Sequence, residues 1–182
     1  MAMAISIPRY TIADLERFPN DGNRYELLDG VLIVTPSPSN AHQIVVNRLV
    51  FRLTQALLPQ RSAQVVGPGA IVLPPKTQLQ PDILVYPARY AVDIRWDEID
   101  EHWLAVEVLS RSSRVYDREI KRDAYIALGV QEVWLVDRWN NVIEVSRSRG
   151  EAKIVADALT WRPPLPGAQE LTVPLVELFE GL

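Results

Sequence analysis

Cysteine is absent from this chain, histidine occurs twice and lysine three times. The first absence removes disulfides and thiolate zinc sites, and it fits a reducing, cytoplasmic compartment. His42 and His102 are too few and too far apart for a His-rich zinc or iron centre. No apolar run approaches the roughly 18 residues of a membrane span. The opening stretch, residues 1–7, is too short for a signal-peptide core and lacks a basic leader, so no targeting segment is expected. Internal repeats and low-complexity tails are missing, as are a glycine-rich phosphate loop, a helix-turn-helix and a zinc finger. Positive charge is not in excess either. A net charge of −4 argues against non-specific nucleic-acid binding over the whole surface and leaves a local basic groove open.

What remains is a globular chain of 182 residues, 48% of them hydrophobic, enough for a full core and expected to form one domain over 1–182. Thr11 opens a short helix, Ile12 to Phe18. Tyr25–Leu28 and Val31–Val34 flank Asp29-Gly30, a two-residue hairpin signal because both central positions need φ > 0. From Ala41 to Leu58 the apolar positions Val46, Leu49, Val50, Leu53 and Leu57 follow helical spacing. Strands are expected at Gln64–Leu73, Asp82–Tyr86 and Trp103–Leu109. Asp117 caps a helix running to Leu128, which Gly129 stops. Glu132–Asp137 and Val142–Ser148 form a hairpin across Asn140-Asn141. The loop Pro163–Gly167 leads to a short strand and a helical end.

Two of these strands each carry a single acid. Glu107 lies in the middle of Trp103–Leu109, and Asp82 lies at the head of Asp82–Tyr86. Apolar runs of this kind read as strands covered on both faces. An ionised carboxylate there is costly unless it is paired, hydrogen-bonded or bound to a cation. The pair suggests a shared metal site, because a magnesium-type ion takes one or two carboxylates plus waters and serves phosphodiester hydrolysis. The plainer alternative makes Asp82 a turn residue after Pro81 and Glu107 a buried partner of an arginine.

The order helix, three strands, helix, strand over residues 41–137, with its two acids, resembles the core of the PD-(D/E)xK nuclease superfamily. More closely it resembles the Uma family of restriction endonucleases. The matching segments are Tyr25–Gly30, Pro81-Asp82, Val106–Ser110, and then Asp117, Lys121, Tyr125, Gly129-Val130 and Glu132–Asp137, within roughly residues 10–145. The resemblance implies an α/β restriction-endonuclease-like core: a mixed central sheet flanked by helices, with hairpin additions at both ends of the chain. It implies a Mg²⁺- or Mn²⁺-dependent endonuclease acting on DNA. Asp82 and Glu107 would hold the metal, with the main-chain carbonyl of Val108 as a further ligand. A homodimer is plausible because cutting two strands needs two sites.

One departure stands out. The superfamily pattern puts a lysine two residues after the acid, and that position is Leu109. Lys76 lies in a Pro-rich loop and Lys153 in a late surface segment. Lys121 follows the Glu107 strand and matches a recurrent lysine of the Uma family, which implies a migrated catalytic lysine. Its ordinary alternative is an Asp117–Lys121 pair at i,i+4. Glu26, before the Asp-Gly turn, is implied as an assisting acid; otherwise it is an exposed hairpin charge. His42 reads as a packing histidine and His102 as a loop residue. Arg111, Arg114 and Arg118 lie in a segment with a local excess of positive charge, a candidate phosphate contact or else a solvated face. The competing reading, which Leu109 and the acidic balance favour, is a catalytically silent restriction-endonuclease-like binding or assembly module.

Overall fold

The computed structural model describes residues 8–110 and 114–182. Helix α1 (Ile12–Leu15) is shorter than its apolar pattern predicts. Strands β1 (Arg24–Leu28) and β2 (Val31–Thr35) form the expected hairpin. Asp29 and Gly30 both take positive φ, 49° and 80°, as a tight two-residue connection demands. Helix α2 spans Asn40–Leu57 and is capped by Ser39, whose hydroxyl accepts from the amide of His42.

The expected strand Gln64–Leu73 is two strands. β3 (Ala63–Val66) pairs with β6 (Ile83–Pro87), whereas β4 (Ile71–Leu73) pairs with β5 (Thr77–Leu79) in a different sheet. The break falls at Gly67-Pro68-Gly69. Gly69 passes so close to β6 that a Cβ there would sit 2.4 Å from Leu84 Cβ, which explains why this position has no side chain. Strand β7 (His102–Val108) follows. His102, expected in a loop, is its first residue and is buried, because the strand begins one residue earlier than the apolar run suggests.

Helix α3 has three segments: an α-turn Arg114–Tyr116, a π-helical stretch Asp117–Lys121 and an α-helical stretch Arg122–Ala127. Asp117 is therefore inside the helix and is not its cap; the amide of Arg114 already bonds the Ser110 carbonyl at 3.1 Å. Gly129 ends the helix with φ 86°, as expected. Strands β8 (Val130–Asp137), β9 (Val142–Ser146), β10 (Lys153–Val155), β11 (Ala158–Trp161) and β12 (Leu171–Pro174) follow, and a last helical turn covers Leu175–Leu178. The short strands β5, β10 and β11 carry no pattern long enough to read in advance.

The central sheet runs β10-β9-β8-β7-β6-β3 and is parallel only between β7 and β8, the pair that α3 connects. Side-chain alternation sorts its strands between two cores. Ile83, Val85, Leu104, Val106 and Val108 face α2 and the β11–β12 hairpin. Leu84, Tyr86, Ala105 and Leu109 face α3 and the sheet β2-β1-β5-β4. This mixed α/β arrangement is the one that the family resemblance implies.

Candidate active site

The antiparallel ladder between β6 and β7 pairs Ile83 with Val106 and Leu84 with Ala105. One step beyond it, Asp82 stands opposite Glu107. Directly opposed residues project to the same face, with Cβ atoms about 5 Å apart. The amide of Val108 donates to Asp82 Oδ2 at 2.9 Å and ties the two strand ends together. The β1–β2 sheet lies over this face and brings Glu26 in from above. Glu26 is fully buried, which removes the exposed-hairpin reading. From the other side, α3 brings Lys121. Its Nζ donates to both Glu26 oxygens, at 2.9 and 2.7 Å, and to Glu107 Oε1 at 3.1 Å. The ordinary i,i+4 reading of Lys121 thus gives way to a buried cation bridging two acids from two sheets. The π-helical turn ending at Lys121 is what aims it inward, since an extra residue in one turn rotates the following side chains.

The sequence pattern points to His42 only as a packing residue and not to Arg24 at all. His42 Nε2 lies 3.0 Å from Asp82 Oδ2, so this histidine contacts the site directly and is not mere packing. Arg24 Nη2 donates to Asp82 Oδ1 at 3.1 Å, while Nη1 holds the Gln80 carbonyl at 2.8 Å. Arg24 sits two residues before Glu26 and shares its strand face, a signal that the alternation could have supplied. Tyr125, one turn beyond Lys121, donates to Glu107 Oε1 at 2.6 Å.

Arg24, His42, Asp82, Glu107 and Lys121 border a cavity of about 270 Å³, whose lining also includes Asp117 and, at the end of β8, Arg138 and Trp139. Four buried acids, Glu26, Asp82, Glu107 and Asp117, gather about two cations, Lys121 and Arg24. The imbalance falls on Glu107. Burial, and then the charges of Asp82, Asp117 and Glu26, push its carboxyl up to about 8 against the pull of Lys121. Burial also acts to raise Asp82, but the hydrogen bond and charge of His42, with Arg24 and the Val108 amide, hold it below the usual carboxylate range. Burial lowers Lys121, and Glu107 and Glu26 outweigh that, so its ammonium is held more tightly than in water. Burial and the Glu107 charge raise Tyr125, which stays a hydroxyl donor.

The basic segment looks different in three dimensions. Arg111 lies outside the described residues. Arg114 is exposed on the first turn of α3. Arg118 donates to Asp137 at 2.6 Å and to Glu144 at 2.7 Å, so its charge is engaged within the fold. Leu109, at the usual lysine position, is fully buried in the core beneath α3.

No curated protein matches the chain. Among solved structures it is similar to one described as "a putative nuclease belonging to DUF820" from Anabaena variabilis. The two are 21% identical, superpose with a TM-score of 0.72, and match over 93% of this chain and 97% of that one, which shows a common fold. Over residues 12–176 the sequence matches the Uma2 family, "Putative restriction endonuclease", and the chain belongs to that family.

Proposed function

We propose that this Uma2 chain is a metal-dependent endonuclease that hydrolyses phosphodiester bonds of DNA at the cavity between Asp82, Glu107 and Lys121. The observation that carries the reading is Lys121, which reaches the Glu107 site from α3 although Leu109 stands at the usual lysine position. A buried ammonium shared by two acids has little reason to persist in a silent assembly module, because burying charges costs free energy that packing would avoid.

The residues suit a hard cation. Asp82 and Glu107 present oxygens from opposed positions, and a divalent ion would offset both the burial and the neighbouring acids that raise Glu107. Among the described residues no three acids or histidines gather into a metal-holding set. Two carboxylates, the Val108 carbonyl and waters suit Mg²⁺ or Mn²⁺, which keep several waters, better than a closed protein cage. Such an ion, when bound, supplies charge against the phosphoryl oxygens and a more acidic water.

The chain's own groups do the rest. Lys121, held protonated, donates hydrogen bonds and opposes charge that develops on the phosphoryl group; it orients a water but does not take its proton. Glu26 fixes the Lys121 ammonium and is itself anchored by the Gln80 amide at 2.7 Å. His42 and Arg24 keep Asp82 ionised. Arg111 and Arg114, from the basic stretch of sequence before Asp117, would contact the DNA backbone.

Supercoiled plasmid is the direct test, under single-turnover conditions with millimolar Mg²⁺. Wild type should cut it, and Asp82→Ala and Lys121→Ala should each lose about 100-fold or more, the scale of a removed electrostatic group. If the functional unit is a homodimer, linear product should form without a build-up of nicked circles. A Lys121→Ala variant as fast as wild type would return Lys121 to a structural role and overturn the mechanism.

A further inference from the structure

Four basic side chains line the cavity: Arg24, His42, Lys121 and Arg138. Three of them are committed, Arg24 and His42 to Asp82 and Lys121 to Glu26 and Glu107. Arg138 makes no hydrogen bond or ion pair with the described residues, and its Nε is buried without a partner. Its guanidinium lies 4.3 Å from the centre of the Trp139 ring, which keeps the planar group extended and weakly hydrated. The turn beneath it is rigid. Asp137 accepts the amides of Trp139 and Asn140 at 3.0 and 3.2 Å and is gripped by Arg118. The fold therefore holds a guanidinium with no ion-pair partner among the described residues, backed by an indole, against the wall of a cavity rich in acids.

We infer that Arg138 and Trp139 form the anion seat of this cavity, taking a phosphodiester group of the nucleic-acid strand and packing its nucleotide against the indole. This rests on the endonuclease reading for the identity of the strand. An arginine fork matches two phosphate oxygens at once, and its buried Nε gains the partner it lacks. The indole suits a nucleotide better than a bare inorganic anion, since any base can stack on it. Arg118, engaged by Asp137 and Glu144, contributes by bracing the turn.

The test uses the full chain in EDTA, so that binding is read without cleavage. One probe is a fluorescein-labelled 16-base-pair duplex, in two unrelated sequences. The other is inorganic phosphate, followed by tryptophan emission, with Trp139→Phe identifying the responding indole. Arg138→Gln should weaken both duplexes alike by about 10-fold and reduce the salt slope by about one, the signature of one lost phosphate contact. Arg138→Lys should recover part of this, having charge without the fork. The melting temperature should barely move, since no ion pair is lost. Phosphate should change wild-type emission but leave that of Trp139→Phe and Arg138→Gln largely unchanged. Phosphate binding through Arg138 without duplex binding would uphold the seat and sink the endonuclease reading. Wild-type affinity and salt slope in Arg138→Gln would overturn the seat and leave that reading standing, as would a phosphate response that ignores Arg138.

Discussion

At residue scale the protein turns on Glu107, an acid opposed to Asp82, bridged to Glu26 through Lys121 and bonded by Tyr125. Its carboxyl is pushed up to about 8 from an ordinary 4.5, so the folded chain holds that proton more tightly than the unfolded one does. The stability it contributes is complete below about pH 4.5 and is lost as pH rises toward 8. Glu107→Gln keeps the shape and removes the titration. In metal-free buffer the stability of the variant should fall less than that of wild type as pH rises from about 5 to 8. Urea unfolding measures it, and the Mg²⁺-induced rise in melting temperature expected of wild type should vanish in the same variant. Leu109 tests the neighbouring idea. It alternates onto the Glu107 side of β7, so Leu109→Lys added to Lys121→Ala should restore a small part of the cleavage rate. Recovery stays small because Leu109 is fully buried and an ammonium there needs both acids to compensate it. Plasmid cleavage equal to that of Lys121→Ala alone would show that a lysine on the strand cannot do the work.

At the scale of elements, short irregularities decide where the active groups point. The π-helical turn Asp117–Lys121 interrupts α3 where the helix crosses the cavity, and it places Lys121 and Tyr125 on Glu107 together. The break between β3 and β4 sends one arm into the central sheet and the other into the sheet that carries Glu26. Gly69 makes that break compact, lying against Leu84 with its amide on the Pro81 carbonyl at 3.2 Å, next to Asp82. Gly69→Ala should therefore cost about 1–3 kcal/mol, as overpacked cores do. Because the strain falls at the head of β6, cleavage should drop by more than the unfolded fraction explains. Chemical denaturation and single-turnover rates on the same preparation measure both. An unaffected stability would mean that β6 moves aside freely.

For the whole molecule, stability at low pH depends on a group remote from the cavity. His102 is buried at the head of β7, and neither ring nitrogen has a hydrogen-bond partner among the described residues. Burial lowers it to about 4 from 6.5, against the pull of Asp100 and Glu101. The unfolded chain takes up this proton first as pH falls, so the contribution is whole above pH 6.5 and is lost progressively toward pH 4. Between pH 7 and pH 5 the loss should be about 2 kcal/mol, from one and a half pK units. His102→Leu should show a pH dependence flatter by that amount in urea unfolding, with cleavage at neutral pH intact. Identical pH slopes in both proteins would show that the imidazole is hydrated in solution. No helix among the described residues is long and apolar enough to cross a membrane.

Local chemistry was sufficient for the long elements and for the acids. Helix α2, the Asp29-Gly30 hairpin and strands β6 to β8 follow from periodicity and turn residues, and Asp82 and Glu107 are conspicuous because an acid in an apolar strand needs a partner. The lysine was legible only through the family resemblance. Nothing in the spacing of Lys121 says that a π-turn will face it inward. Contacts across distant segments were not legible at all. Arg24 and Glu26 reach the cavity because a second sheet folds over the first, His42 because the start of α2 packs beside Asp82, and Arg138 because the β8–β9 turn closes the rim. Arg118 reads as a surface cation until Asp137 and Glu144 are brought to it from other strands. A residue's type and its neighbours in sequence determine what it can donate, accept or bury. Which charges meet, and which guanidinium is left without a partner among the described residues, depends on chain segments as much as 125 residues apart, and only packing brings those together.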